Sequence, residues 1–321
     1  MVTLDDIRRA EASIRRVAKR TRLIELQLPG GNEGQRLLLK PENQQPIGAF
    51  KLRGAYNKIA SLLETDRKRG VITYSSGNHA QGVAYAARAL GVKAVIVMPD
   101  NAPSIKRKAT AALGADIVFV GPGSAERQTK AEELAAQHGY VIVPPYNDEQ
   151  IIAGQGTIGL EILEDLPEVQ TVLAPVGGGG MISGVATAIK LSKPSVKMIG
   201  VEPEVAADAQ ASLRAGKIVQ FSAAEVSRTM ADGLRTQSIG AINFEHIRRY
   251  VDDIVTVSED EIREAVRLLA EKPNTVAEPS GAVAVAGFLF HRDQLPKTKV
   301  NVAIISGGNI DPKMLEEVRR S

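Results

Sequence analysis

A run of four glycines is the most distinctive chemical feature of the sequence. Gly177–Gly180 comes two residues after an apolar stretch, Thr171–Pro175, that is typical of a buried strand, and a helical pattern follows over Val185–Leu191. Because glycine has no Cβ, the backbone N–H groups of such a loop can turn inward. Together with the positive end of the following helix, they form a cradle for an anion such as a phosphate.

The sequence argues against three other interpretations of the glycine run. No Gly-Lys-Ser/Thr follows it, which argues against a P-loop. No acidic residue closes a following strand at the spacing of a dinucleotide-binding motif, although Glu202 comes nearest. A flexible surface turn is the structural alternative, but four glycines between a buried strand and a helix lose much conformational entropy for a simple connection. The run therefore favours a monophosphate site.

Three further segments with ligand-binding side chains follow predicted strands or open predicted helices. Lys51 comes directly after Phe50 at the start of a helical pattern, the segment Ser75–Gln81 opens another helix, and Ser306 follows the last apolar stretch. Each segment has an ordinary alternative, as a surface lysine, a helix cap or a turn. Ligand sites of α/β proteins gather at strand ends, so four such loops in one chain predict a shared site.

The elements that must position these loops are short apolar runs that alternate with amphipathic helical stretches. Strands that are apolar throughout and separated by helices predict parallel sheets covered on both faces. About nine strands are many for one open sheet in a chain of this length, so we expect two α/β domains. The predicted strands are Arg36–Lys40, Gly70–Tyr74, Lys93–Met98, Asp116–Val120, Tyr140–Val143, Thr171–Pro175, Lys197–Val201, Asp253–Val257 and Val300–Ile305.

Composition excludes several classes of function. The 40 basic and 37 acidic side chains interleave to a net charge of +3, which argues against nucleic acid or a membrane surface as partner. The chain has no cysteine, so disulfides, thiolate metal sites and a catalytic thiol are excluded. No apolar run approaches the roughly 20 residues that cross a bilayer, and the N-terminus lacks a signal-peptide pattern. We expect a soluble, cytoplasmic protein that acts on a small molecule.

Taken together and in order, the four segments resemble the fold-type II pyridoxal 5'-phosphate family that contains the serine/threonine dehydratases and serine racemase. The resemblance extends from Asp6 to Ile310. It implies a two-domain α/β fold like that of the tryptophan synthase β subunit, with mainly parallel sheets covered by helices. We expect residues 1–60 and 148–321 to form a large cofactor-binding domain, residues 70–146 a small inserted domain, and the protein to be a homodimer.

The resemblance also implies a set of site residues. Lys51 corresponds to the Schiff-base lysine, and the loop after Tyr74 corresponds to the segment that takes the substrate carboxylate. The residues that would hold the cofactor are Phe50, Lys51, Asn78, Gly177, Gly178, Gly179, Gly180, Met181 and Ser306. The residues that would bind the substrate are Ser75, Ser76, Gly77, Asn78, His79 and Arg127.

The implied activity is elimination of water from L-threonine, L-serine or a related β-hydroxy amino acid, which gives a 2-oxo acid and ammonia. The cofactor would serve as electron sink while Lys51 removes the α-proton. Ser306 in place of an aspartate would leave the pyridine nitrogen unprotonated and favour elimination over transamination. A serine racemase with dehydratase side activity is the alternative, and a non-enzymatic phosphate- or nucleotide-binding protein is a distant one.

One position separates this chain from the commonest threonine dehydratases. Those enzymes resemble Ser-Ala-Gly-Asn-His, whereas this chain has a second serine, Ser76, between Ser75 and Gly77. The second serine is the pattern of the serine racemase and hydroxyaspartate dehydratase branch, where it serves as acid and base on the face opposite the lysine. Ser76 is therefore a second candidate catalytic residue, with a helix N-cap as the structural alternative.

The same branch implies a metal site. Glu202, Ala206 and Asp208 match the spacing of two carboxylates and a backbone carbonyl that bind a divalent cation in its metal-dependent members. Ligation by oxygen alone suits Mg²⁺, with Ca²⁺ or Mn²⁺ as alternatives. A solvated acidic loop is the structural alternative.

Overall fold

Strands and helices alternate along almost the whole chain. The computed structural model describes residues 1–27, 34–75, 77–100, 102, 104–121 and 123–320. The strands are β1 Ile24–Glu25, β2 Arg36–Pro41, β3 Val71–Tyr74, β4 Ala94–Pro99, β5 Asp116–Val120, β6 Val141–Ile142, β7 Thr171–Pro175, β8 Lys197–Pro203, β9 Asp253–Val257 and β10 Val300–Ile305. The helices are α1 Leu4–Ile14, α2 Lys51–Ala60, α3 Glu64–Arg69, α4 Asn78–Leu90, α5 Ser104–Ala112, α6 Ser124–His138, α7 Glu149–Asp165, α8 Gly180–Ser192, α9 Asp208–Ala215, α10 Ala223–Val226, α11 Ala241–Tyr250, α12 Glu259–Ala270, α13 Pro279–Phe290 and α14 Pro312–Arg320.

The larger sheet has six strands in the order β1-β2-β10-β7-β8-β9. Only the short β1 runs antiparallel to its neighbour, and the remaining strands are parallel. Every residue of β7 is buried, as expected for a strand with helices on both faces. One apolar cluster packs α12 and α13 against one face, and a second packs α8 and α11 against the other.

The smaller sheet has four parallel strands in the order β5-β4-β3-β6. Helix α4 covers one face together with Ala55 and Ile59 of α2. Ala131 of α6 packs on the other face. All four strands come from between Val71 and Ile142, whereas the larger sheet takes strands from both sides of that stretch. Helix α2 therefore connects the larger sheet to the smaller one along the chain, and Lys51 is its first residue.

The predicted α/β class with mainly parallel sheets is confirmed, and each of the nine predicted strand stretches contains a strand. Strand β1 was not predicted, because two residues carry no periodic signal. We propose that the smaller sheet forms the inserted domain predicted for residues 70–146. Among the described residues, no helix combines the length and apolar composition needed to cross a bilayer.

Four buried charged side chains hold α2 in place. Arg53 donates to Glu42 Oε2 at 2.8 Å and to Glu161 Oε1 at 2.7 Å, and Lys40 donates to Glu161 Oε2 at 2.6 Å. Their two positive and two negative charges balance, and Lys40, Glu42 and Arg53 are fully buried. Removing charges from water is costly unless each one is paired and hydrogen-bonded. The cluster therefore fixes α2 to β2 and α7.

Three helices that begin near one another have no side-chain cap at their N-termini. The N-cap residues Phe50, Gly77 and Gly179 of α2, α4 and α8 make no side-chain capping bond. In contrast, Asp148 caps α7 by accepting from Gln150 N at 2.8 Å. The first N–H groups of a helix need partners and favour negative charge. The three uncapped helix starts therefore suit an anionic ligand.

Candidate active site

A cavity of about 450 Å³ lies at the carboxyl ends of β3, β7 and β10. Both sheets contribute to its wall, which places loops far apart in the chain around one space. Most of the residues predicted from the sequence line it, namely Phe50, Lys51, Ser75, Gly77, Asn78, His79, Arg127, Gly177, Gly178, Gly179, Gly180, Met181 and Ser306. Ser76, the remaining predicted residue of this cavity, lies outside the described residues.

Lys51 is the first residue of α2 and points into the cavity. Its Nζ donates to the Pro145 carbonyl oxygen at 2.7 Å and lies 5.2 Å from the centre of the Phe50 ring. Burial by the surrounding protein lowers its pKa from 10.5 to about 8, because desolvation disfavours the charged amine. The uncharged fraction of this lysine near neutral pH is therefore far larger than that of an ordinary lysine, as a nucleophilic or basic amine requires.

The glycine run is a buried, held loop between β7 and α8. Gly179 has φ +90°, a left-handed conformation that favours glycine. Asn243 Nδ2 and Gly240 N donate to the Gly178 carbonyl oxygen at 2.8 and 3.1 Å. The Tyr146 ring packs so closely on Gly178 that a Cβ there would collide with it. These contacts argue against a flexible surface turn.

Asn78 stands at the start of α4 and is held from both ends of its amide. Its Nδ2 donates to Glu278 Oε1 at 2.5 Å, and its Oδ1 accepts from Asn309 Nδ2 at 2.7 Å. Glu278 precedes α13 and is almost fully buried. The amide of Asn78, which the sequence predicts to hold the cofactor, is therefore part of a chain of three hydrogen-bonded side chains.

The loop from Ser75 to His79 brings the N-terminus of α4 to the cavity. Gly77 N donates to Ser75 Oγ at 3.3 Å, and His79 Nε2 lies 3.0 Å from the Val143 carbonyl oxygen. Burial, and then the charge of Lys51, lower the pKa of His79 to about 3. Its imidazole is therefore neutral and serves to fix α4 to the end of β6 rather than to exchange protons.

Ser306 follows β10 and is buried next to α13. Its Oγ donates to the Ser280 carbonyl oxygen at 3.3 Å, and its own carbonyl accepts from Phe50 N at 3.0 Å. Ser280 Oγ in turn accepts from Gly233 N at 2.9 Å. The two serines thus tie the end of β10 to the residue that precedes Lys51 and to a second loop of the cavity.

Several cavity residues were not predicted from the sequence. Tyr146, Arg235 and Glu278 line the wall beside the predicted Arg127. Burial lowers the pKa of Arg127, in keeping with a guanidinium that faces the cavity rather than open solvent. An acidic residue directly before an apolar helix was the one local signal for Glu278. The others became recognisable only when the fold placed them.

The candidate metal ligands are buried and do not line this cavity. Glu202 at the end of β8, Ala206 and Asp208 at the start of α9 are all fully buried, so the solvated acidic loop is not what the chain forms here. Glu202 accepts from the backbone N–H groups of Ala209 and Gln210 at 3.0 and 2.8 Å. Neither oxygen of Asp208 has a hydrogen-bond partner of regular geometry among the described residues.

Burial dominates the electrostatics of this carboxylate pair. It raises the pKa of Glu202 well above its usual value, with the neighbouring Asp208 adding to the shift. It also raises the pKa of Asp208 to about 7, although the N–H groups of Asp208 and Ile239 face that carboxylate and oppose the shift. Within the described part of the chain, no group of three or more His, Cys, Asp or Glu side chains is placed to bind a metal. A cation here would depend on two carboxylates and backbone oxygen.

Comparisons with known proteins agree with this geometry. Residues 14–307 match the model of the family described as "Pyridoxal-phosphate dependent enzyme". The chain is 46% identical over 318 residues to a Thermotoga maritima protein named L-threonine ammonia-lyase, covering 99% of this chain and 78% of that one. It is 40% identical to L-threo-3-hydroxyaspartate ammonia-lyase of Saccharomyces cerevisiae, covering 97% and 94% of the two chains.

A solved structure extends the likeness to three dimensions. The structure of maize serine racemase superposes with a TM-score of 0.91 at 35% identity and covers 98% of this chain and 96% of that one. The family model covers most of the chain, and the residues it spans include Lys51, the glycine run and Ser306. The chain therefore belongs to the family of pyridoxal-phosphate dependent enzymes.

Proposed function

We propose that this protein is an ammonia-lyase that eliminates water from a small β-hydroxy amino acid, such as L-threonine or L-serine, and releases a 2-oxo acid and ammonia. The observation that carries the proposal is the setting of Lys51. An amine with a pKa of about 8 lies in one cavity with a buried glycine loop, Asn78 and Ser306. The relatives of this chain include proteins named as ammonia-lyases.

The residues present fit pyridoxal 5'-phosphate. Lys51 would hold the cofactor covalently, and the uncapped start of α8 after Gly179 would receive its phosphate. Asn78 would donate to the ring hydroxyl, and the Ser306 hydroxyl would face the pyridine nitrogen without giving it a charged partner. When bound, the cofactor supplies an electron sink for charge that develops at the α-carbon of the substrate.

The chain's own groups would remove the α-proton of the substrate and bind its α-carboxylate. Lys51, once released from the cofactor, would take the α-proton through Nζ, because its lowered pKa makes the free amine available. The backbone N–H groups at the start of α4, around Ser75 to His79, would bind the α-carboxylate. His79 is neutral and fixed, so we assign it to positioning only.

The position of Arg127 in the cavity favours a β-hydroxy amino acid that carries a second carboxylate. Arg127 and Arg235 line the same cavity, and a desolvated arginine such as Arg127 binds a carboxylate through paired N–H groups. One relative is named for L-threo-3-hydroxyaspartate. We therefore include 3-hydroxyaspartate among the candidate β-hydroxy amino acids.

A racemase is the second candidate function. The chain carries Ser76 beside Ser75, and a serine racemase is among its structural neighbours. Racemisation needs an acid or base on each face of the α-carbon, and we propose Ser76 opposite Lys51. The same residues would serve elimination, so both activities can occur in one protein.

The carboxylate pair fits a divalent cation. We propose that Glu202, Asp208 and the Ala206 carbonyl oxygen hold Mg²⁺, or Ca²⁺ or Mn²⁺, with water completing the shell. The supporting observation is that both oxygens of buried Asp208 have no regular hydrogen-bond partner among the described residues. Such a cation would neutralise a buried negative charge.

We also propose that the protein is a homodimer and is located in the cytoplasm. Light scattering tests the first proposal, and cell fractionation tests the second.

Two measurements test the main proposal. Incubation with the cofactor followed by borohydride should fix a covalent adduct on the peptide that contains Lys51, and Lys51→Ala should lose both the adduct and turnover, the latter by about 10²-fold or more. Lys58→Ala, on the same helix, serves as the control. A panel of L- and D-β-hydroxy amino acids should then be assayed for 2-oxo acid and, by chiral chromatography, for inversion. An adduct elsewhere, or no product from any member of the panel, would refute the proposal.

A further inference from the structure

We propose that Asn309 is a positioning residue that fixes which end of the Asn78 amide faces the cofactor ring, and so tunes the charge on the ring oxygen. The proposal rests on the proposed placement of the cofactor against Asn78. It goes beyond that placement because Asn309 itself is absent from the cavity wall that holds Lys51.

The two ends of the hydrogen-bonded chain leave only one orientation for each amide. Asn309 Nδ2 donates to the Ile47 carbonyl oxygen at 2.9 Å, and a carbonyl can only accept. At the other end, Glu278 Oε1 accepts from Asn78 Nδ2 at 2.5 Å. Between them, Asn78 Oδ1 must accept from Asn309. The Asn78 amide is therefore held with its nitrogen toward Glu278.

Asn309 is itself locked by the backbone around it. Gly48 has φ +72°, and a Cβ there would collide with Asn309 Oδ1, so the side chain packs directly on this glycine. Gly308 N donates to the Gly48 carbonyl oxygen at 2.9 Å. The loop before Lys51 and the loop after Ser306 thus set the position of Asn309, and Asn309 sets the amide that begins α4.

This orientation has a chemical consequence for the bound cofactor. Asn78 Nδ2 carries two hydrogens, and Glu278 is its one partner among the described residues. The second N–H can therefore be donated to the ring oxygen, and a hydrogen bond to the charged form of a group favours that form. A reversed amide would present an oxygen to the same atom and disfavour the anion. Asn309 thereby biases the ring oxygen toward its ionised state.

The test uses the absorbance of the bound cofactor without substrate. The ionised ring oxygen contributes to the visible band, and its neutral form absorbs in the near ultraviolet. We expect Asn309→Asp, which can donate to neither Ile47 nor Asn78, to lower the ratio of the visible to the near-ultraviolet band by about 2- to 10-fold, the effect of one hydrogen bond. Asn309→Ala removes both bonds without adding a charge, and it should lower the ratio in the same direction.

The matched control is Asn301→Asp. Asn301 lies in β10, the strand that precedes the Asn309 loop, and its buried amide donates to the Arg36 and Thr298 carbonyl oxygens, away from Asn78. It should keep the parent ratio at every pH, even if it lowers stability as much. Folded Asn309 variants with the parent ratio across the pH range would overturn this inference alone. A parent protein without a borohydride-fixed adduct would overturn the proposed function along with it.

Discussion

We expect Lys51 to be reactive because of where the fold places it rather than because of a charged partner. Burial lowers its pKa to about 8, and its Nζ donates to the neutral carbonyl oxygen of Pro145. A neighbouring cation would also lower the pKa but would repel a cationic substrate amine. Desolvation by uncharged groups achieves the shift without that repulsion.

This shift predicts the pH dependence of cofactor loading. Only the neutral amine attacks an aldehyde, and its fraction rises with pH until the pKa is passed. In the cofactor-free protein, the rate of adduct formation should therefore rise up to pH of about 8 and then level off. A lysine peptide measured alongside should keep rising toward pH 10.5, the ordinary value. A protein profile that follows the peptide would show that Lys51 is not desolvated.

Ser76 distinguishes the two candidate activities. If it is the second acid and base, Ser76→Ala should abolish racemisation and elimination from D-serine, while Lys51 keeps most elimination from the L-substrate. Ser75→Ala is the comparison in the same loop, and because Ser75 is assigned to substrate binding it should lower activity toward L- and D-substrates alike. Both enantiomers should be assayed on one preparation of each variant. An equal loss for L- and D-substrates would identify Ser76 as a structural cap.

At the scale of elements, the loop between β7 and α8 depends on its contact with Tyr146. A Cβ at Gly178 would collide with the Tyr146 ring, and overpacking of this kind typically costs about 1–3 kcal/mol. We expect Gly178→Ala to lower thermal stability by that amount and to weaken cofactor binding. In a Tyr146→Ala background the same change should cost much less. Thermal unfolding of the four proteins gives the coupling, and simple additivity would contradict the contact.

The charged cluster beneath α2 gives a second prediction at this scale. Burial would raise the pKa of Glu42, but the charge and hydrogen bonds of Arg53 outweigh it and lower the pKa below 4.5. Arg53→Met leaves buried carboxylates underpaired, so we expect a loss of about 3–5 kcal/mol in urea unfolding. Arg20→Met, which breaks solvent-accessible pairs with Glu164 and Asp165, should cost less than about 1 kcal/mol.

The sign of the pH effect follows from the lowered pKa of Glu42. Its stabilisation is complete above the unfolded value of 4.5 and is lost as the pH falls through the lower folded value. The difference in stability between the parent and Arg53→Met should therefore shrink below pH 4.5. If the difference in stability between the parent and Arg53→Met stays constant below pH 4.5, the destabilisation comes from lost packing and not from lost charge.

Elements with a repeating local pattern could be predicted from the sequence, and contacts across the fold could not. Strands such as Thr171–Pro175 are apolar throughout, and Gly177–Gly180 and Phe50-Lys51 have signals within a few residues. Tyr146 has no such signal, because its role depends on Gly178 facing its ring. Asn309 looks locally like the end of a glycine turn, and its contact with Asn78 exists only once β3 and β10 meet at one cavity.

At the scale of the molecule, the proposed cation site lies outside the cavity wall, so we expect an effect of the cation on stability to be measurable apart from catalysis. A ligand that binds only the folded state stabilises it by mass action, about 2.7 kcal/mol at a hundredfold excess over Kd. Chelation should lower the melting temperature, and Mg²⁺ should restore it. Glu202→Ala should melt at one temperature with or without Mg²⁺.

Glu204→Ala is the matched control for this experiment. Glu204 is an exposed acidic neighbour in the same segment, so its variant should keep the parent's response to chelator and to Mg²⁺. A parent protein whose melting temperature ignores both would refute the cation proposal. An equal loss of response in the two variants would mean that the segment, rather than the Glu202 carboxylate, governs the effect.

The hydrogen bond from Lys51 to Pro145 also has a stereochemical consequence. A neutral amine nitrogen is tetrahedral, with Cε, two hydrogens and a lone pair around it. One hydrogen points at the Pro145 carbonyl oxygen, so the lone pair is confined to the two remaining directions. An aldehyde carbon is attacked along the axis of that lone pair, from one face of its plane. The carbonyl of a single proline, just beyond β6 of the smaller sheet, would thus restrict the trajectory of the proposed covalent step.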